Sequence, residues 1–207
     1  MRLLTIKIRN FRSYQEQVEI SAGNLIAFVG KNDIGKSSIL EALDIFFNKG
    51  KGTIKMDKDD VNKICLSEEN KITEIALVFD QFPDSIVIDS TNETSLEDEY
   101  LLNANGYLEI IKRYSNGGSE KVFIKANHPT NDNCSDLLLK TQRVLQGIIN
   151  DEEIECENRT RNAVMRASIW AHYSENINLE ETEIDVTKGE TKSIWDKLES
   201  YLFTFPI

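Results

Sequence analysis

The 207-residue sequence predicts an α/β domain, and three stretches near its start predict it. Leu4, Ile6, Ile8 and Phe11 alternate with Thr5, Lys7, Arg9 and Asn10, the period of a half-buried strand. Leu25-Ile26-Ala27-Phe28-Val29 is a continuous apolar run, as expected of a strand buried on both faces. From Lys36 to Phe47 the apolar residues Ile39, Leu40, Leu43, Phe46 and Phe47 form one helical face, with Glu41 and Asp44 opposite.

The remaining elements follow in order. A short strand over Gln17–Ile20 turns at Ser21-Ala22-Gly23-Asn24, and Asn48-Lys49-Gly50-Lys51-Gly52 supplies the end of the first helix. Met56 to Asn70 is highly charged and reads as a surface excursion. Strands are predicted at Ile72–Phe79, Ser85–Asp89, Tyr107–Tyr114 and Lys121–Lys125, with a hairpin turn at Ser115-Asn116-Gly117-Gly118-Ser119. After Asn133 the pattern is helical, over Ser135–Ile149, Asn158–Tyr173 and Ser193–Leu202. No repeat or linker divides the chain. Its parts are 1–55 (strands, loop and first helix), 56–130 (mainly β) and 131–207 (mainly helical).

Hydrophobic residues at 40% with only ten glycines and three prolines exclude collagen-like and disordered classes. The net charge of −11 argues against broad wrapping of DNA by this segment itself, because phosphates need cations to replace their counterions. Cys65, Cys134 and Cys156, with His128 and His172, make no zinc or disulfide spacing and read as reduced thiols. The N-terminus opens directly into strand-like alternation, and no apolar run approaches the roughly 20 residues of a membrane span. A cytoplasmic protein without membrane contact is the expectation.

One motif carries chemistry. Gly30-Lys31-Asn32-Asp33-Ile34-Gly35-Lys36-Ser37 matches G-x-x-x-x-G-K-[ST] in full, between the apolar run and the amphipathic helix. Such a loop turns successive backbone N–H groups and the positive end of a helix toward a polyphosphate. Gly30 and Gly35 permit the close approach. Lys36 reaches toward β- and γ-phosphates, Ser37 supplies a Mg²⁺ ligand, and Ser38 closes the loop. ATP and Mg²⁺ are the expected ligands.

Other segments are weaker. Ile75-Ala76-Leu77-Val78-Phe79-Asp80 has the look of a Walker B strand, but Gln81 follows it, and an ordinary strand end is the better reading. Ser115-Asn116-Gly117-Gly118 resembles an ABC signature, yet it joins two strands and reads as a hairpin. Arg159, Arg161 and Arg166 read as the solvated face of a helix, with a phosphate-sensing lid as the alternative. Lys112 and Arg113 with Lys121 and Lys125 read as a basic ribbon on an exposed sheet face.

Ile8-Arg9-Asn10-Phe11-Arg12-Ser13-Tyr14, and the run from Phe28 through the motif to Leu43, resemble the ATPase heads of the ABC-type RecF/SMC group, and OLD-family proteins most closely. The resemblance implies an α/β P-loop NTPase, an ABC-type head with N-terminal antiparallel strands and an inserted β/helical lobe. It places Arg9 and Asn10 beside the nucleotide and Asn32 near the γ-phosphate. Asp33 stands where Gly is usual, as in OLD-type loops, and Ile34 completes the contact set. The group sandwiches ATP between two heads, which implies a homodimer, and its complete members act on DNA or in phage defence. The signature helix, the Walker B strand with its catalytic Glu, the switch His and the OLD-type Toprim nuclease domain are not recognisable before Ile207. The chain is therefore expected to be an N-terminal part that binds ATP with negligible hydrolysis, and no catalytic residue is assigned. A small P-loop kinase and a non-catalytic interaction module with a vestigial loop stay open as alternatives.

Overall fold

The computed structural model describes residues 1–23, 27, 29, 35–48, 52–69, 71–88, 93–187 and 191–202. Their elements are β1 (Arg2–Arg9), β2 (Val18–Ser21), α1 (Lys36–Asn48), α2 (Lys63–Ser67), β3 (Ile72–Asp80), β4 (Ile86–Val87) and β5 (Glu93–Thr94). β6 (Leu108–Ser115), β7 (Ser119–Pro129), α3 (Gln142–Asp151), α4 (Asn162–His172), β8 (Leu179–Asp185) and α5 (Lys192–Leu202) complete them.

Six strands form one antiparallel sheet in the order β2-β1-β3-β6-β7-β8. Its register follows from the apolar alternation. Ile20, Ile6, Leu77, Ile110, Ile124 and Ile184 stand opposite one another, a row of branched side chains crossing all six strands on one face. α1 and α5 share the same core, through Ile39, Ala42, Ile45 and Phe46 on α1 and Ile194, Trp195, Leu198 and Leu202 on α5. Phe47 near the end of α1 meets Phe79 at 6.5 Å between ring centroids.

The intervening residues face the other way and form a charged grid. Lys7 pairs with Glu109 at 2.7 Å, Arg113 with Glu74 at 2.6 Å and with Glu183 at 2.6 Å, and Lys125 with Glu181 at 2.9 Å. Arg113 is held protonated far above its ordinary range, chiefly by its hydrogen bonds to Glu183.

Several expectations are corrected. Lys112 does not join a basic ribbon, because its position on β6 shares parity with Ile110. Its side chain is buried, with the ammonium 5.0 Å from the Phe46 ring centroid and 5.1 Å from that of Trp195. Of the predicted strand Leu25–Val29, Ala27 and Val29 are among the described residues, both exposed and neither in a strand, Val29 at 93%. Leu25, Ile26 and Phe28 lie outside the described residues. The span 56–69 lies mostly on the surface, as expected, but it is anchored by Asp60, Val61, Asn62 and Cys65, which are buried. The predicted strand Ser85–Asp89 shrinks to β4, paired with β5 outside the main sheet. The helix predicted over Ser135–Ile149 begins only at Gln142, behind a 3₁₀ turn at Leu137–Leu139, and the one predicted from Asn158 begins at Asn162.

The helical part has its own small core of Cys134, Leu137, Leu145, Ile149, Ile154, Met165, Ile169 and Trp170. A buried pair ties it to the rest: Arg166 on α4 donates to both oxygens of Glu99, at 2.7 and 2.8 Å. Among the described residues no helix is long and apolar enough to cross a membrane, and no group of three or more His, Cys, Asp or Glu is placed to hold a metal ion.

Candidate nucleotide-binding site

Of the predicted contact residues, Gly30, Asn32, Asp33 and Ile34 lie outside the described residues. Gly35, Lys36, Ser37 and Ser38 sit together at the start of α1, with Ser37 exposed and Ser38 buried. Gly35 takes φ +82°, a left-handed conformation that glycine adopts without strain. It also has no room for a side chain, since a Cβ there would lie 2.7 Å from Ser13 Oγ and 2.9 Å from Tyr14 Oη. No acidic residue occupies the first turn of α1. Helix N–H groups with no carboxylate beside them suit an anion, so the observed end of the motif fits a polyphosphate.

The turn after β1 packs against this loop end. Tyr14 Oη donates to the Gly35 carbonyl at 3.1 Å, and burial pushes the Tyr14 phenol up from its ordinary pKa. Asn10 and Arg12 in the turn have φ of 51° and 49°. Asn10 is fully buried, and its side-chain amide donates to the Ile72 carbonyl at 3.0 Å. Arg9 lies on the charged face of the sheet, donating to Glu74 at 3.3 Å, so the sheet stands between Arg9 and α1.

Asp57, Asp60 and Asn62 are the residues that sequence reasoning missed. Asp57 and Asp60 form a capping box around the 3₁₀ turn Lys58–Asp60, and Asn62 caps α2. The Asp-x-x-Asp spacing followed by Asn before an apolar run was the available signal.

The weaker segments resolve as follows. Asp80 ends an antiparallel strand and pairs with Arg2, whose Nε lies 3.0 Å from Asp80 Oδ1, and these hydrogen bonds hold its carboxyl below the usual range. Ser115 and Ser119 flank a two-strand hairpin, with Asn116 and Gly117 both at positive φ. Arg166 is neither solvated nor a lid residue, being spent on Glu99, and Arg159 donates to Asn150 at 2.5 Å. Two surface grooves of about 600 and 590 Å³ lie elsewhere, one beside Glu97 and Ala167 and one beside His128 and Asp136.

A family model described as "AAA ATPase domain" matches residues 1–204. An uncharacterised protein of Methanocaldococcus jannaschii is 31% identical over 113 residues, 54% of this chain and 31% of the relative. An ATP-dependent lipid A-core flippase of Francisella novicida is 27% identical over 165 residues, 72% of this chain and 27% of the relative. The chain thus spans about a third or less of the length of these curated relatives. Among solved structures, an SMC ATPase studied for ATP-driven dimerisation and DNA-stimulated activation covers 81% of this chain and 100% of its own, at 16% identity and TM-score 0.42. The SMC head domain from Thermotoga maritima covers 72% of this chain and 51% of its own, at 16% identity and TM-score 0.36.

Proposed function

Because the chain belongs to the AAA ATPase domain family, we propose that it binds MgATP on the loop Gly30–Ser38, as the nucleotide-binding half of an ATPase head. One observation carries this reading: the second glycine of the complete motif, Gly35 at φ +82°, leads straight into a helix that begins with the motif's Lys36 and has no acid in its first turn. The backbone N–H groups at the start of α1 would hold phosphate oxygens, Lys36 would neutralise the β- and γ-phosphates, and Ser37 would ligate Mg²⁺. Bound Mg²⁺ supplies charge neutralisation at the phosphates.

In the complete protein two such heads would close on ATP in an OLD- or RecF-like arrangement, and the whole would act on DNA or in phage defence. DNA contact would come through the remainder of that protein, since the sheet's exposed face pairs its cations internally.

Calorimetry of MgATP binding to wild type and Lys36→Ala tests the reading. Removing a cation that donates to phosphate should weaken binding by about 1.5–3 kcal/mol, the scale of a charged hydrogen bond. Equal affinity for the two proteins would overturn it.

A further inference from the structure

Gly35 is held by the turn between β1 and β2, and that turn is in turn held from outside the phosphate loop. The Gly35 carbonyl accepts from Ile39 N at 3.3 Å and from Tyr14 Oη at 3.1 Å, and Ser13 Oγ and Tyr14 Oη fill the space where its Cβ would be. Where the turn sits therefore decides where Gly35 sits. The turn's own shape is demanding, with Asn10 and Arg12 both in the left-handed region that residues with a Cβ rarely adopt.

Asp60 and Asn62 supply what holds it. Asn62 donates its backbone N–H to Asn10 Oδ1 at 3.1 Å and its side-chain Nδ2 to the Arg12 carbonyl at 2.6 Å. Arg12 donates its backbone N–H to the Asp60 carbonyl at 2.7 Å and its Nε to Asp60 Oδ1 at 2.7 Å. Thr73 Oγ1 closes the turn from the sheet, donating to the Asn10 carbonyl at 2.7 Å. The Arg12 guanidinium also pairs with Glu41 on α1, a second link from the turn to the helix that the phosphate loop feeds.

We propose that Asp60 and Asn62 are positioning residues for nucleotide binding: they lock the Asn10–Tyr14 turn in its left-handed form, and Tyr14 and Arg12 then set Gly35 and the start of α1 in the phosphate-binding geometry. The inference rests on the reading of Gly30–Ser38 as the nucleotide loop. Asp60 and Asn62 act through the turn and touch no nucleotide. A backbone cradle binds phosphate only while its N–H groups converge, so a brace that fixes one end of the cradle raises affinity by pre-organisation.

Two substitutions separate this role from simple structural support. Tyr14→Phe removes only the hydroxyl that reaches Gly35. Asn62→Asp keeps an oxygen to cap α2, where Oδ1 accepts from Ile64 N at 3.0 Å and Cys65 N at 3.4 Å, but loses the donor to the Arg12 carbonyl. MgATP affinity by calorimetry, the thermal midpoint without nucleotide and the ¹⁵N–¹H resonance of Gly35 are measured on the full chain, with Lys36→Ala in parallel. Each variant is expected to bind MgATP about 5- to 10-fold more weakly, the worth of one hydrogen bond. The double variant should lose no more than about the larger single loss, because both changes release the same turn. The Gly35 resonance should move in both variants, and the midpoint of Tyr14→Phe should stay within about 2 °C of wild type. Wild-type affinity and an unmoved Gly35 resonance in both variants, with Lys36→Ala defective, would overturn the brace and leave the nucleotide reading standing. Wild-type affinity in Lys36→Ala would overturn both. If Asn62→Asp does not fold, Tyr14→Phe decides alone by the same readouts.

Discussion

At the scale of single residues, two cations, Lys112 and Arg166, are buried among the described residues, and the fold treats them differently. Lys112 lies between two aromatic rings with the partly exposed Glu120 carboxylate 3.3 Å away, so ring faces and this acid help to meet its charge. Arg166 and Glu99 are both buried and satisfy each other through two parallel hydrogen bonds, with Thr94 Oγ1 adding a third to Glu99 at 3.0 Å. Such a pair stabilises little against a well-packed apolar replacement, but losing one member strands the other away from water. Glu99→Ala and Arg166→Ala should each lower stability by about 3–5 kcal/mol, whereas Glu99→Leu with Arg166→Met should cost far less. Urea denaturation of the three proteins checks this, and equal losses in all three would show that packing, not stranded charge, sets the cost. Neither buried charge was legible in the sequence. Lys112 adjoins Arg113 in a strand, and only the parity fixed by pairing with β3 sends one inward and the other to the charged face. Arg166 looks like its neighbours Arg159 and Arg161 until the segment carrying Glu99, 67 positions earlier, is folded against it.

At the scale of elements, what the sequence displayed most clearly were pieces with a strong local period. α1 begins at Lys36 and α5 at Lys192, within a residue of their expected starts, because each has a full apolar face. β8 was missed because Leu179-Glu-Glu-Thr-Glu-Ile-Asp carries two aliphatic residues, and it becomes a strand by pairing with β7 and with the cations Arg113 and Lys125. An acidic edge strand also resists further pairing, which suits the end of a sheet. The hairpin between β6 and β7 was legible, but its tertiary role was not. Asn116 and Gly117 take φ of 51° and 65° in the three-residue loop Asn116–Gly118, which Gly118 closes by donating its N–H to the Ser115 carbonyl at 3.0 Å. A Cβ on Gly117 would lie only 1.9 Å from the Asp57 carbonyl carbon, so the hairpin tip presses on the segment that braces the Asn10–Tyr14 turn. Gly117→Ala should therefore destabilise the fold by about 2 kcal/mol or more. Gly118→Ala, whose Cβ would meet only the Ser115 carbonyl oxygen at 3.5 Å, should cost less than about 1 kcal/mol. Denaturation midpoints that rank the two the other way would mean that the hairpin tip yields freely.

At the scale of the whole molecule, pH and turnover both depend on how the parts are joined. His128 on β7 is buried against Tyr100 and Trp170, with Nδ1 2.9 Å from the Tyr100 carbonyl. Burial pushes its pKa below the ordinary 6.5, outweighing the opposing pull of that carbonyl and of Asp136. Between the lowered value and 6.5 the unfolded chain binds the extra proton, so His128 contributes stability above pH 6.5 that is lost as pH falls through this window. His128→Gln should show a shallower fall in thermal midpoint than wild type from pH 7.5 to 5.5, and parallel curves would remove His128 from the account. Turnover is governed by where the carboxylates lie. The β1–β3 register sets Arg2 against Asp80 and Arg9 against Glu74, and the turn that touches Gly35 follows Arg9. Seven residues of strand place Asp80 about 23 Å from that end, far from where Ser37 would ligate Mg²⁺. Among the described residues, Glu41 on α1 and Asp60 beside the Asn10–Tyr14 turn both hold Arg12. Holding ATP stabilises a ground state, whereas hydrolysis needs a group that orients water in the transition state. We therefore expect this 207-residue chain to bind MgATP yet turn it over more slowly than about 0.01 s⁻¹, far below an ordinary enzyme. Asp80→Asn should leave that residual rate unchanged. A rate on the order of 1 s⁻¹ would sink the argument, and its loss in Glu41→Gln would identify Glu41 as the group that orients the water.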